Sequence, residues 1–300
     1  MRVAAIDLGT NTTRLLVADV ADGMVEELHR ETRITRLGEG VDARKRLLPV
    51  PITRVRNVLT DYRRTAEALD AERVLAVATS AVRDAENGEA FLGEVEWSYG
   101  FTTQLVSGDE EAQLTRRGVR PEPGTLVLDI GGGSTELIVD QFHVSLSMGA
   151  VRFTERHGED IALSEEAAIE LLSQHAGVHP RAAVGVAGTV TTLAALDLQL
   201  ERYDRARVDG HVLSRQAARA QLRRLAALSL EERRQVPALE PDRAPVIVAG
   251  GAILVATLDY FGLNAITVSE RDILDGIALA AAELPAPEEG AAPPGAFTCC

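Results

Sequence analysis

Two short segments of the chain pair an aspartate with a glycine-containing turn in a way that could manage phosphate. Asp7-Leu8-Gly9-Thr10-Asn11-Thr12 follows the apolar run VAAI, and Asp129-Ile130-Gly131-Gly132-Gly133-Ser134-Thr135-Glu136 follows TLVL. Both read as tight turns between two strands. Glycine lets a backbone approach a phosphate closely, and successive turn N–H groups form an anion nest. Thr10, Asn11, Thr12 and Ser134 add hydroxyl and amide groups. Gly131, Gly132 and Gly133 in succession would weaken an ordinary hairpin, whereas a backbone that must wrap a polyanion explains them. Two plain glycine hairpins are the alternative, and they leave the repeated aspartate without a reason.

Asp7 and Asp129 close apolar strands, and strand C-terminal ends are where α/β sheets place ligands. A carboxylate beside a phosphate nest repels the ligand unless a cation intervenes. Mg²⁺, or Mn²⁺ in its place, takes one or two carboxylates together with phosphate oxygens. Turn capping is the other use of these aspartates. Glu136 reads equally as an outer support of the metal or as a solvated residue. Between the two loops, Ser107-Gly108-Asp109-Glu110-Glu111-Ala112 follows a strand and opens a helix. Acids there suit the helix dipole, but one of them could also take a proton from water attacking a phosphoryl group. Ala78-Thr79-Ser80-Ala81-Val82-Arg83 and Ala187-Gly188-Thr189-Val190-Thr191-Thr192 form a further pair of turns at strand ends. Thr79, Ser80, Gly188 and Thr189 offer donors at helix starts, and Arg83 a bidentate clamp. Simple N-capping is the plainer reading of these turns.

The elements that must carry these residues repeat. DLGTNTTRLLV begins at residue 7 and DIGGGSTELIV at residue 129, with Asp, Gly, Thr, Leu and Val recurring in register. In the first half the patterns predict strands at 2–8 and 13–20, an Asp22-Gly23 hairpin, a third strand from Met24 and a helix over 51–69. Strands at 73–78 and 102–106 follow, with helices at 91–99 and 108–118. The second half predicts strands at 125–130, 134–140 and 143–148. After them come a helix over 164–176, a strand at 182–187 and a helix from about 191. Two or three extra helices fall between 214 and 261, then a strand at 265–268 and a helix over 272–284. Hairpins joined to β-α-β units predict a duplicated three-layer α/β fold. The expected domains are 1–122 and 123–270, with 285–300 a disordered tail rich in Pro, Gly and Ala.

Composition narrows the function. The 300 residues carry a net charge of −14, which argues against non-specific nucleic-acid binding. The two cysteines, Cys299 and Cys300, cannot build a disulfide framework or a zinc site. The longest uncharged run, 244–258, contains Pro245, Gly250 and Gly251 and is too short for a membrane span. With no targeting pattern at Met1, a cytoplasmic location is expected. Arg30, Arg33, Arg36, Arg44, Lys45, Arg46, Arg54, Arg56, Arg63 and Arg64 could guide a long polyanion or could be a solvated face. Gly250-Gly251 suits helix packing or a nucleotide-base contact. The six histidines show no metal spacing, and Trp97 with so few aromatics gives no stacking platform.

Five segments in order, DLGTNTTRLLV, ATSAVRDAEN, SGDEEA, DIGGGSTEL and AGTVTTLAAL, resemble the exopolyphosphatase / guanosine pentaphosphate phosphohydrolase (Ppx/GppA) family over about residues 1–284. The resemblance implies an α/β fold of the actin-like/sugar-kinase (ribonuclease H-like) kind, with two domains closing on a cleft. The last helix, 271–284, would pack back on the first domain. It implies Mg²⁺-assisted release of terminal phosphate from inorganic polyphosphate, or from the alarmone pppGpp. Glu111, the second of the paired acids, would be catalytic. Asp129 and Glu136 would be linked to the metal, and the strand-end reading above adds Asp7. The glycine loops and Arg83 would hold phosphate. Longer family members carry extra C-terminal helical domains, so less persistent action on long chains is expected of this short form. A homodimer is also an implication of the family. A kinase or ATPase of the same superfamily, or a non-catalytic phosphate sensor, are the other readings.

Overall fold

The computed structural model describes residues 1–285. The expected tail, with Cys299-Cys300, lies outside the described residues apart from Pro285. The chain divides into two compact units. One holds Met1–Gly118 together with the helix that starts at Ile273, and the other holds Val119–Asp272.

The first unit opens with β1 (Arg2–Leu8), β2 (Thr12–Ala21) and β3 (Met24–Ile34). The short helix α1 (Val41–Arg44) and the long α2 (Pro49–Ala68) follow, then β4 (Arg73–Ala78), α3 (Ser80–Arg83), α4 (Gly88–Tyr99), β5 (Thr102–Leu105) and α5 (Gly108–Val119). The sheet order is β3-β2-β1-β4-β5. Asp22 and Gly23 turn the β2–β3 hairpin with φ of 51° and 71°, the left-handed pair that a two-residue turn of matching twist requires. β1 carries the apolar run Val3–Ile6 because both of its faces are covered. Its alternation deals Ala4, Ile6 and Leu8 to a core with Val55, Leu59 and Tyr62 of α2. Val3 and Ala5 go to a second core with Ile273, Ile277 and Ala281.

The second unit repeats the plan: β6 (Thr125–Ile130), β7 (Thr135–Val139), β8 (Phe142–Leu146), α6 (Ala150–His157), α7 (Ile161–Ser173), β9 (Ala182–Val186) and α8 (Ala187–Asp197). Then come α9 (Arg205–Val208), β10 (Val212–Ser214), α10 (Arg215–Ala226), α11 (Leu230–Arg233), α12 (Ile247–Tyr260) and β11 (Ala265–Val268). Its sheet order is β10-β11-β9-β6-β7-β8. The last helix, α13 (Ile273–Glu283), belongs to the first unit, where it forms the second core just described. Among the described residues no helix is long and apolar enough to cross a membrane.

The basic cluster of the first unit is largely spent on ion pairs. Arg30 binds Glu27 and Asp275, Arg33 binds Glu31, Arg54 binds Glu39, Arg56 binds Glu94, Arg63 binds Glu67 and Arg64 meets Asp61. Of the two readings of this cluster, a paired surface describes most of it.

In the second unit Arg233 is fully buried. Its guanidinium donates to the carbonyls of Leu225, Leu228 and Ala244 and takes both oxygens of Glu159, at 2.6 and 3.0 Å. Arg233→Leu strands three carbonyls in the core, and is expected to cost about 3 kcal/mol or more. Denaturant unfolding checks this, and a loss below about 1 kcal/mol, within the range of one ordinary hydrogen bond, would contradict it.

Candidate active site

In the first unit, three parallel strands lie side by side with Leu8 opposite Ala78 and Ala78 opposite Leu105. The loops after them must leave from one edge of the sheet. These are residues 9–12, the turn at Thr79–Arg83 and the segment leading into α5. Gly38 and Arg83 link them. The open side of Gly38 faces both Thr10 and Ala81. Arg83 Nη1 donates to Val106 O at 2.8 Å and to Glu111 Oε2 at 3.2 Å. The structure thus brings Gly9, Thr10, Asn11, Thr12, Thr79, Ser80, Arg83 and Glu111 to one edge. Thr79 and Ser80 are buried, and the Thr79 side chain makes no cap to α3.

The paired acids of α5 divide their work. Glu110 Oε2 accepts from the Ser107 N–H at 2.8 Å and from its hydroxyl at 2.9 Å, and Ser107 Oγ accepts from the Glu110 N–H at 3.2 Å. This is a reciprocal cap. The Ser107 backbone N–H, then its hydroxyl, hold the Glu110 carboxyl below the usual glutamate range. Glu111 is buried at 8% exposure and faces Arg83 instead.

The second unit repeats the edge. Asp129 lies opposite Val186, and Gly185 opposite Val268, so 131–134 and the start of α8 leave the sheet together. Ala187, at that start, is held at φ 63°, a conformation that costs a non-glycine residue roughly 1 kcal/mol or more. The Gly188 backbone lies under Arg243: a Cβ there would fall 1.3 Å from Arg243 Nη1.

The two glycine loops are built alike. Gly9 N–H donates to Thr12 O, and Gly131 N–H donates to Ser134 O, each at 3.0 Å. Donors behind each loop then take its carbonyls. Thr10 O accepts from Gly38 N–H, and Asn11 O from Thr35 and Arg36 N–H. Gly131 O accepts from Ala150 N–H, Gly132 O from Val151 and Arg152 N–H, and Gly133 O from Arg152 Nε at 2.6 Å. A trans peptide points its N–H opposite to its C=O. The amides of Asn11 and Thr12, and those of Gly132, Gly133 and Ser134, are therefore aimed away from the donors behind. Such a row of forward N–H groups is what an anion needs.

The loops differ at one position. In the first hairpin Asp7 lies directly across from Arg14, which holds Asp7 Oδ2 through Nε at 2.9 Å and Nη2 at 2.8 Å. In the second hairpin Asp129 lies across from Glu136. Both of these acids are buried, at 7% and 1%, and Ser145 Oγ donates to Glu136 Oε1 at 2.7 Å. Opposite charges across a strand pair attract, whereas like charges there repel. An arginine thus meets Asp7, while the second hairpin sets two carboxylates across from each other. Among the described residues no three of His, Cys, Asp and Glu gather into a metal-holding group. Two carboxylates suit Mg²⁺, which keeps water and substrate oxygens as its other ligands.

The family model described as "Ppx/GppA phosphatase family" matches residues 16–283. The chain belongs to the Ppx/GppA phosphatase family. Exopolyphosphatase 2 of Mycobacterium tuberculosis is 40% identical, over 94% of this chain and 98% of that protein. A guanosine-5'-triphosphate,3'-diphosphate pyrophosphatase of Vibrio vulnificus is 31% identical over 92% of this chain and 58% of its own. The crystal structure of an Aquifex aeolicus Ppx/GppA phosphatase superposes with TM-score 0.74 at 32% identity, covering 94% of this chain and 99% of that one. The duplicated three-layer α/β arrangement read from the sequence is the fold of these Ppx/GppA proteins.

Sequence reasoning missed three arginines that this Ppx/GppA chain places at its loops. Arg14 was legible in principle, because it stands as far after the first turn as Asp7 stands before it. Arg152 and Arg243 carry no such signal, since α6 and the approach to α12 bring them in from elsewhere in the chain. Gly250 and Gly251 lie buried within α12, and the open side of Gly250 receives Thr189 and Ala150. Helix packing accounts for that pair, and nothing remains to be explained by a nucleotide base.

Proposed function

We propose that this Ppx/GppA protein is an exopolyphosphatase that hydrolyses the terminal phosphoanhydride of inorganic polyphosphate. The observation that carries the reading is the repeated loop with its carbonyls tied behind and its amides forward. Each unit holds one such loop, and forward amides of this kind suit phosphate oxygens. The higher identity to the exopolyphosphatase relative supports polyphosphate over pppGpp.

In the proposed mechanism the amides of 9–12 and 131–134 take phosphate oxygens, together with the Thr79–Ser80 turn, Arg83, Gly188 and Thr189. Preorganised donors of this kind stabilise the charge that spreads over the transferring phosphoryl group. Glu111, oriented by Arg83, positions a water and accepts its proton as the oxygen attacks phosphorus in line. The P–O bond to the rest of the chain breaks, and orthophosphate leaves. Asp129 and Glu136 would hold Mg²⁺, which supplies positive charge between carboxylates and phosphate oxygens. Asp7, expected among the metal ligands, is reassigned in this reading to orienting the first loop through Arg14.

The test is orthophosphate release from polyphosphates of graded length and from pppGpp, before and after chelation. Release from polyphosphate should exceed that from pppGpp, vanish with EDTA and return with Mg²⁺. Asp129→Asn should demand far more Mg²⁺ for half-maximal rate, while Asp7→Asn should leave that requirement unchanged. Full activity in EDTA would remove the metal from the reading, and turnover of pppGpp alone would replace the substrate.

A further inference from the structure

Arg44, Lys45 and Arg46 stand outside the ion pairs that absorb most of the basic cluster. They end α1 and enter the following loop, and all three are exposed. Among the described residues none of their side chains makes an ion pair. Lys45 is also the single lysine of the chain.

The triplet is held in place by its backbone. Lys45 sits at φ 52° and its N–H closes α1 on Val41 O. Lys45 O accepts from Glu86 N–H at 2.8 Å. Leu47 N–H donates to Asn87 Oδ1 at 2.8 Å, Asn87 Nδ2 returns a bond to Leu47 O at 3.1 Å, and the Leu47 side chain is buried. These bonds fasten the loop to residues 86–87, three residues past the end of α3. The last residue of α3 is Arg83, which binds the candidate base Glu111. Three positively charged residues on a fastened backbone therefore stand one short connection from Arg83. Glu86 is the acid beside them, while Asp42 and Asp84 are already engaged.

A surplus of this kind matters in a chain of net charge −14. A long polyanion meets overall repulsion, and only a local positive field can capture it. We propose that Arg44, Lys45 and Arg46 form a docking strip for the distal part of a long phosphate chain whose end is being hydrolysed. The proposal rests on the exopolyphosphatase reading and deepens it: the strip selects for chain length, because a short substrate fills the loops without reaching it.

The triple variant R44S/K45S/R46S is compared with the wild type on long-chain polyphosphate and on tripolyphosphate, at low and high KCl. KM for the long chain should rise about tenfold or more at low salt, the scale of electrostatic capture by a charged surface. The kcat on the long chain and both constants for tripolyphosphate should stay within about twofold. The gap should close near 1 M salt, where the Debye length falls to about 3 Å. An unchanged KM for the long chain overturns the strip. So does a parallel loss on both substrates, which marks a structural role. If the wild type releases no orthophosphate from any polyphosphate, the enzymatic reading fails separately. Direct binding of labelled long-chain polyphosphate to both proteins then decides the strip, with equal affinity rejecting it.

Discussion

Glu111→Gln removes most orthophosphate release while the protein still folds and binds polyphosphate. Loss of a general base typically costs about 10²–10⁴ in rate, and that range is expected here in kcat. The argument rests on the division between two neighbours. Glu110 is engaged with Ser107 in a reciprocal cap, whereas Glu111 is buried against Arg83 with its Oε2 3.2 Å from Nη1. Glutamine keeps the shape and an oxygen for Arg83 but cannot take a proton from water. Glu110→Gln is the control. It loses the charge but keeps the cap, since Gln fills that position as Glu does, so it should cost about 0.3–1 kcal/mol in stability and leave kcat nearly intact. The pH dependence separates them further. Ser107 depresses the folded Glu110 carboxyl. Its contribution is therefore present above the unfolded glutamate value, about 4.3, and disappears as pH falls through the lower folded value. The Tm difference between wild type and Glu110→Gln should be flat near neutrality and shrink in acid. If Glu110→Gln abolished turnover and Glu111→Gln spared it, the two roles would have to be exchanged.

The parts of this site that were legible in the sequence are those set by local chain geometry. A strand, a glycine turn and a second strand write their own register, so the two loops and their aspartates could be read directly. The contrast between Arg14 and Glu136 was written there too. It passed unnoticed because a charged residue on a strand looks like a solvent-facing position until its cross-strand partner is counted. What could not be read depends on partners distant in sequence. Arg30 looks like free positive charge until Asp275, 245 residues away, arrives to pair with it. Arg233 looks like a surface residue of a short helix until Glu159 and three carbonyls enclose it. Helix α6 was missed for another reason. Eight residues make little more than two turns, too few for a 3.6-residue period to stand out. Yet its first turn holds the carbonyls of Gly131 and Gly132, so the nest depends on an element that the pattern did not announce.

That dependence predicts the effect of a single methyl group. Gly149 precedes α6 with φ −147°, an extended conformation open to any residue, so backbone strain is not at issue. Space is. A Cβ at Gly149 would fall 2.4 Å from Gly132 O, 2.5 Å from Gly132 C and 2.6 Å from Gly133 C. All three are backbone atoms of the glycine loop, with no flexible side chain to swing aside. Gly149→Ala must therefore push the loop away from α6 or pull the helix off its carbonyls. Either shift turns the amides of Gly132, Gly133 and Ser134 from their aim. Misplacement of a binding group by about 1 Å can cost 10²-fold in rate, and a loss of that order in kcat/KM is expected. Overpacking should add about 1–3 kcal/mol of destabilisation. Gly93→Ala is the matched control, because nothing lies within 4 Å of its would-be Cβ and it sits inside α4. It should stabilise the protein by up to about 1 kcal/mol through helix propensity and leave turnover alone. Wild-type activity in a folded Gly149→Ala protein would mean that the loop carbonyls need no support from α6. The amides would then owe their direction to the glycines alone, and the account of the nest would fail at its central step.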